Sequence, residues 1–287
     1  MSDSRNSMNG RVCLVTGATH GIGTVVVQAL AERGATVVAT GRNDVLGTEI
    51  VARVIDVTGN PNVHFLQADL ARQSAVRALA AEFMDRWPQL HVLVNNAGTV
   101  AAVRRLTPDG VEQVFAVNHL APFLLTHLLL PALRTGSPSR IITVSSYGHR
   151  RGRMTWDDLQ GAQFYFSFRA YAQSKLANLL FTYELARRLE GTGISANAVN
   201  PGLVRTNIGM DSGRLISIAK RLIDRWRAIS PEQGADTVVW LASSPDVEEL
   251  TGQYFERRSA VRSSRASYDI ASQQRLWRIS ERLTGLG

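Results

Sequence analysis

The sequence predicts an α/β fold: a single Rossmann domain over residues 1–287, a doubly wound parallel sheet with helices on both faces. Three observations predict it. Short apolar runs alternate with longer segments of helical spacing, the runs are apolar on both faces as strands covered on both sides must be, and a glycine-rich turn follows the first run directly. In chain order, the polar start over 1–9 is expected to be flexible, and VCLVT at 12–16 reads as the first strand, followed by a helix from about Thr24 to Arg33. TVVAT (36–40), NVHFLQA (62–68), HVLVN (91–95), RIITVSS (140–146) and ISANAVN (194–200) supply five more strands. Ser74 to Trp87, Gly110 to Leu133 and Tyr171 to Leu189 have the spacing of helices.

Composition narrows the class. Hydrophobic residues make up 45% and charged residues 20%, too apolar for a disordered chain. The formal charge of +8 invites a nucleic-acid reading, but it is spread over both halves, and the arginines of RRSAVRSSRAS (257–267) have no interleaved aromatics. No nucleic-acid partner is expected. Only Lys175 and Lys220 are lysine among 32 basic residues. The lone cysteine, Cys13, excludes an internal disulfide and a cysteine-built metal site. The first ten residues contain no apolar signal core, and the most apolar run, Leu120 to Leu133, is interrupted by Pro122, Thr126, His127 and Pro131. A cytoplasmic protein with no membrane span is therefore expected.

The turn after the first strand reads Thr16-Gly17-Ala18-Thr19-His20-Gly21-Ile22-Gly23. Glycines there permit a tight strand-to-helix turn and let a pyrophosphate approach the backbone, with the helix N–H groups aimed at it. The end of the second strand selects the dinucleotide: an acid binds the ribose 2′-OH of NAD, whereas NADP needs that acid absent and an arginine close by. Ala39-Thr40-Gly41-Arg42-Asn43 has no acid and places Arg42 in reach, which favours NADP(H) over NAD; a solvated loop arginine is the alternative.

At the other end, Tyr171-Ala-Gln-Ser-Lys175 puts a phenol and an ammonium on one helical face. With two lysines in 287 residues, that spacing is hard to assign to chance, and the rival Tyr165 has Arg169, not lysine, four residues on. The fifth strand ends at Ser145-Ser146, where a parallel sheet exposes functional groups; either serine could instead cap the loop.

Together, Thr16-Gly17-x-x-x-Gly21-x-Gly23, Asn95-Asn96-Ala97-Gly98, Asn118, Ser146, Tyr171-x-x-x-Lys175 and Pro201-Gly202 resemble, in this order, the short-chain dehydrogenase/reductase family, over roughly residues 10–255. The glycine spacing is similar to its compact single-domain branch. VSSYGH, YAQSKLANLLFTYELARRLEG and VNHLAPFLLTHLLLPAL are most similar to the retinol-dehydrogenase-like group and to the oxidoreductase half of WW-domain oxidoreductases. The resemblance implies Tyr171 as general acid, Lys175 and the oxidised nicotinamide lowering its pKa, Ser146 bonding the substrate oxygen, and Asn118 holding a water that links Lys175 to solvent. It implies cofactor contacts at Gly17, Thr19, His20, Gly21, Ile22, Gly23, Arg42, Asn43, Asp69 and Leu70. Asn95, Ala97, Gly98, Tyr171, Lys175, Pro201, Gly202, Val204 and Thr206 complete that set; for Asn95 and Asn96 a turn satisfying its own backbone is an equal alternative.

The implied function is an NADP(H)-dependent oxidoreductase, a ketone or aldehyde reductase acting on a small, mostly apolar carbonyl or alcohol. The family also implies a homo-oligomer, and the arginine preference points to a GC-rich genome and a role in bacterial secondary metabolism. A catalytically silent NADP-binding regulator is the alternative, opposed by four filled catalytic positions. Three regions depart from the compact pattern: an aromatic insert at 147–169, an amphipathic segment at 207–230 and a C-terminal extension at 257–287. The insert's Trp156, Phe164, Tyr165, Phe166 and Phe168 could wall an apolar pocket or pack the insert onto the domain. The 207–230 segment reads as a substrate lid, with a basic membrane-surface helix as the alternative. The polar N-terminus has no counterpart of the membrane anchor common in animal retinol dehydrogenases, which counts against retinoid as the substrate.

Overall fold

A computed structural model describes residues 7–202 and 229–287. Its sheet has eight strands in the order β3-β2-β1-β4-β5-β6-β7-β8. They are β1 (Val12–Thr16), β2 (Thr36–Gly41), β3 (Val63–Gln67), β4 (Val92–Asn95), β5 (Ser139–Val144), β6 (Ile194–Val199), β7 (Tyr254–Glu256) and β8 (Ser259–Ala260). Every pairing is parallel except β7 with β8. The order reverses beside β1, so the crevice at the carboxyl ends of β1 and β4 is where such a sheet takes a ligand. The six strands read from the sequence are present. The short β7 and β8 carry too few residues to leave a period-two signal.

Two hydrophobic layers cover the sheet. On one face α1 (Ile22–Ala31) presents Ile22, Val26, Val27 and Leu30, at the spacing of one helical stripe, and packs with α6 (Pro231–Ser243). On the other, α3 (Gln73–Arg86) and α4 (Gln113–Thr135) pack together, beside Phe181 of α5 (Ser167–Arg188). The C-terminal α7 (Ile270–Thr284) adds Trp277 to this layer, edge-on to Phe123 at 5.1 Å. Residues 257–287 thus furnish core.

Three expectations change. Met8, within the start expected to be flexible, is buried, and its N–H donates to Arg33 O at 2.9 Å; residues 1–6 lie outside the described residues. Helix α5 begins at Ser167, so Tyr171 sits in its second turn instead of opening it. Finally, α4 is continuous over 23 residues and long and apolar enough to cross a membrane, although 72% of its most apolar stretch is buried in the fold. Two of the residues read as interruptions are satisfied inside the fold: His127 Nδ1 bonds Phe123 O at 2.7 Å and Thr126 Oγ1 accepts from Asn95 Nδ2 at 3.1 Å.

Candidate active site

The glycine turn is shaped by its neighbours. Gly17 and Gly21 have φ of 64° and 57°, where a side chain is strained. A Cβ on Gly17 would lie 2.7 Å from Ala97 Cα, and one on Gly23 would lie 2.3 Å from Gly17 O. Thr16 and Asn96 brace this close approach. Thr16 Oγ1 accepts from Asn96 N and Ala97 N, each at 3.0 Å, and Asn96 Nδ2 donates to Thr16 O at 2.8 Å and Gly17 O at 3.1 Å. Asn95 turns the other way, buried against Thr126. For Asn96 the structure therefore takes the backbone-satisfying alternative, and its role as a brace was not legible from the motif alone.

Thr19, His20, Arg42, Asn43 and Gln67 line a cavity of about 650 Å³ beside the turn, with Asp44 and Val45 completing the wall. Gln67 Nε2 holds Arg42 O at 2.9 Å, and Asn43 Oδ1 caps the next helix, α2 (Asp44–Thr58), by accepting from Leu46 N at 3.0 Å. The guanidinium of Arg42 is exposed at this mouth. Asp69 Oδ1 accepts from Ala71 N at 3.1 Å while Arg72 approaches its other oxygen at 3.6 Å; Leu70 follows, partly buried. A glycine cradle that side chains would fill and a helix N-terminus behind it fit the pyrophosphate of a dinucleotide.

The reacting end gathers Ser146, Tyr171, Lys175 and Asn118. Lys175 is buried, its Nζ donating to Val144 O at 2.9 Å and standing 5.8 Å from the Tyr171 ring centre. Burial alone brings its ammonium down to about 8. Burial pushes the Tyr171 phenol above its ordinary value, and the neighbouring Ser146 hydroxyl pulls the other way. Ser146 Oγ also accepts from Gly148 N at 3.2 Å, whereas Ser145 Oγ is spent on Lys175 O at 2.9 Å. That separates the two serines: only Ser146 faces the phenol. Asn118 is fully buried in a π-helical segment of α4, Ala116–Leu120, a distortion frequent at functional sites. Its amide is engaged with Thr99 N (2.7 Å), Thr99 O (3.0 Å) and Ser174 Oγ (2.9 Å). Gly98 lies beside this pair: a Cβ there would be 3.5 Å from Lys175 Nζ and 3.6 Å from Asn118 Oδ1.

The insert divides. Tyr165 O–H donates to Ala101 O at 3.1 Å and to the buried Glu112 at 3.3 Å, and Trp156 packs under Arg275 at 4.7 Å. Phe164, Phe166 and Phe168 are exposed. Gly202, with φ of 86°, follows β6 with its N–H on Asn200 Oδ1 at 3.1 Å, and Pro201 precedes it. Val204, Thr206 and all of the expected lid but residues 229–230 lie outside the described residues.

Residues 11–214 match the family model of the short chain dehydrogenases. The chain belongs to the short-chain dehydrogenase family. Retinol dehydrogenase 12 of Mus musculus is 39% identical over 96% of this chain and 87% of its own length. Polyprenol dehydrogenase of Homo sapiens is 39% identical over 96% of the chain and 86% of its own. A short-chain dehydrogenase from Shigella flexneri, solved with NADP, is 26% identical, with a TM-score of 0.69 over 89% of this chain and all of that one. The expected retinol-dehydrogenase-like affinity and the doubly wound sheet therefore hold, and this short-chain dehydrogenase is an oxidoreductase of alcohol and carbonyl groups in a family that uses NAD or NADP.

The same comparisons correct the expected surroundings. Two relatives are named for retinol and polyprenol, isoprenoid alcohols that dissolve in lipid, and α4 is long and apolar enough to span a bilayer. A cytoplasmic location without a membrane partner does not stand. The error came from weighing His127 and Thr126 as interruptions, although the first is satisfied within the helix and the second by Asn95 of β4.

Proposed function

We propose that this short-chain dehydrogenase uses NADP(H) to interconvert an apolar aldehyde or ketone and its alcohol. The carrying observation is the juxtaposition of Ser146, the Tyr171 phenol and the Lys175 ammonium, with Gly98 beside the lysine. When bound, the nicotinamide supplies or accepts the hydride. In the reducing direction Tyr171 gives its phenolic proton to the substrate oxygen, and Ser146 Oγ donates a hydrogen bond to the charge growing there. Lys175 Nζ, beside the phenol, favours its ionised form once the proton has left and holds the ribose hydroxyls. Asn118, fixed by Thr99 and Ser174, would hold a water linking Lys175 to solvent.

Gly17, Thr19, His20, Gly21, Ile22 and Gly23 would hold the pyrophosphate, and Asp69 and Leu70 the adenine. Ala97, Gly98, Pro201 and Gly202 would line the nicotinamide half. Arg42 would pair a 2′-phosphate, an assignment supported by its place at the cavity mouth and by the absence of an acid on β2. The names of the relatives point to lipid-like isoprenoid alcohols as the substrate class. Following nicotinamide absorbance with a panel of apolar aldehydes and ketones tests the reading: NADPH should outperform NADH. Arg42→Ala should weaken NADPH by about 10- to 100-fold, the worth of a charged hydrogen-bonded contact, and leave NADH unchanged. Equal loss for both cofactors would remove Arg42 from the phosphate.

A further inference from the structure

The carbonyl of Ser146 receives two hydrogen bonds from one residue, His149: its backbone N–H at 3.1 Å and its ring Nδ1 at 2.6 Å. The ring is fully buried and stands edge-on to Tyr254 at 5.0 Å. Its other nitrogen, Nε2, lies 3.1 Å from the backbone N of Ser264. A backbone N–H can only donate, so Nε2 carries the lone pair and the proton resides on Nδ1, pointed at Ser146 O. One tautomer satisfies both partners, and burial holds the ring below its ordinary pKa, in the neutral form this requires.

Ser264 is itself tied to the helix that carries Tyr171. Its carbonyl accepts from Ser267 Oγ at 2.6 Å, Ser267 Oγ bonds Ser263 Oγ at 2.7 Å, and Ser263 Oγ bonds the Tyr183 hydroxyl of α5 at 2.7 Å. The Ser264 hydroxyl is buried without a partner, so its backbone is what serves the contact. Further along, Arg150 donates to Arg262 O at 2.8 Å. The bonds run from α5 through the 263–267 serines to His149 and Ser146, whose hydroxyl sits beside the Tyr171 phenol that α5 also carries.

We infer that His149 is a positioning residue that, braced by the C-terminal segment through Ser264, fixes Ser146 relative to the Tyr171 phenol. This rests on the reading of Ser146 and Tyr171 given above. The need for such a brace is geometric: Ser146 leaves the end of β5 on a short 3₁₀ turn, and a hydroxyl that must meet developing charge loses its effect when displaced by about an ångström, which costs up to roughly 100-fold.

A double-mutant cycle tests it. Steady-state kcat and KM would be measured with NADPH and one apolar aldehyde for the wild type, Ser146→Ala, His149→Leu and the double variant. His149→Leu should lower kcat by about 10- to 100-fold with KM for NADPH unchanged, and the loss should vanish in the Ser146→Ala background. Two isosteric variants separate the ring's bonds and keep the test open where the leucine variant does not fold. His149→Asn retains an N–H donor at the Nδ1 position but loses the Ser264 brace and should recover only part of kcat; His149→Gln retains only the Nε2 acceptor and should lose as much as leucine. Equal losses with and without Ser146, or a glutamine variant as active as asparagine, overturn the inference and leave His149 merely structural. Full kcat in Ser146→Ala overturns instead the reading of the site on which it rests.

Discussion

Two turns leave the carboxyl edge of the same sheet, one after β1 carrying Gly17 to Gly23 and one after β5 carrying Ser146. The first is held by residues whose place is set by the adjacent strand: Thr16 at its own root and Asn96 at the end of neighbouring β4. The first brace spans 80 positions but joins paired strands, whereas the second comes from beyond the sheet, by His149 reaching Ser264 across 115 positions. The first turn owes its shape to backbone that no side chain can enter; the second owes it to side chains whose partners are fixed by the C-terminal segment. The comparison teaches that the cofactor end is braced within the sheet, by its β4 neighbour, and the reacting end from outside it, by the segment after β8.

The largest break in that contrast is at Gly23. Gly23→Ala puts a methyl 2.3 Å from the carbonyl of Gly17, which is backbone and cannot swing aside. NADPH binding, followed by fluorescence titration, should be lost, with a stability cost of about 1–3 kcal/mol from overpacking. A smaller effect sharpens the same side. Asn96→Ala removes the donor to Thr16 O and Gly17 O, and should weaken NADPH about tenfold while lowering stability by roughly 1 kcal/mol, the usual net worth of such bonds. Substitutions at Ser146, by contrast, should leave that affinity alone.

The smallest expected effect concerns a second histidine joined to the C-terminal segment. His119 is fully buried, with Nε2 on Ser280 Oγ at 2.8 Å and Nδ1 without a partner. Burial lowers it from 6.5 to about 3. Between those values the unfolded chain takes up a proton that the folded one refuses, so stability falls as pH drops through that window, by at most about 1.4 kcal/mol per pH unit. Ser280 already donates to Leu276 O, and the ring packs among Phe115, Phe123 and Phe181. His119→Phe should therefore match the wild type near pH 7.5 and show a shallower decline in Tm toward pH 5. An unchanged slope would move the acid sensitivity elsewhere.

Legibility in the sequence followed the same division. The six long strands, the glycine turn and the Tyr171–Lys175 pair announce themselves because each depends on residues within a few positions of one another. Asn96 could be placed in the turn but not given its task, since a motif does not say which of two adjacent asparagines faces the core. His149 and Ser264 were invisible for a stronger reason: neither has a local signal, and their pairing exists only once β7, β8 and the C-terminal segment have folded back. The insert split likewise, with Tyr165 and Trp156 anchored by distant Glu112 and Arg275 and the phenylalanines left exposed. The membrane misreading had a related root, because Thr126 is satisfied by Asn95 of β4, a partner 31 positions away, while His127 is satisfied within its own helix.

The most direct test is a comparison of the wild type with Tyr171→Phe, measuring NADPH affinity and the turnover of an apolar aldehyde side by side. The phenylalanine variant should bind NADPH as the wild type does and turn over about 100- to 10,000-fold more slowly, the usual contribution of a positioned general acid. Turnover at the wild-type rate in that variant would contradict the account.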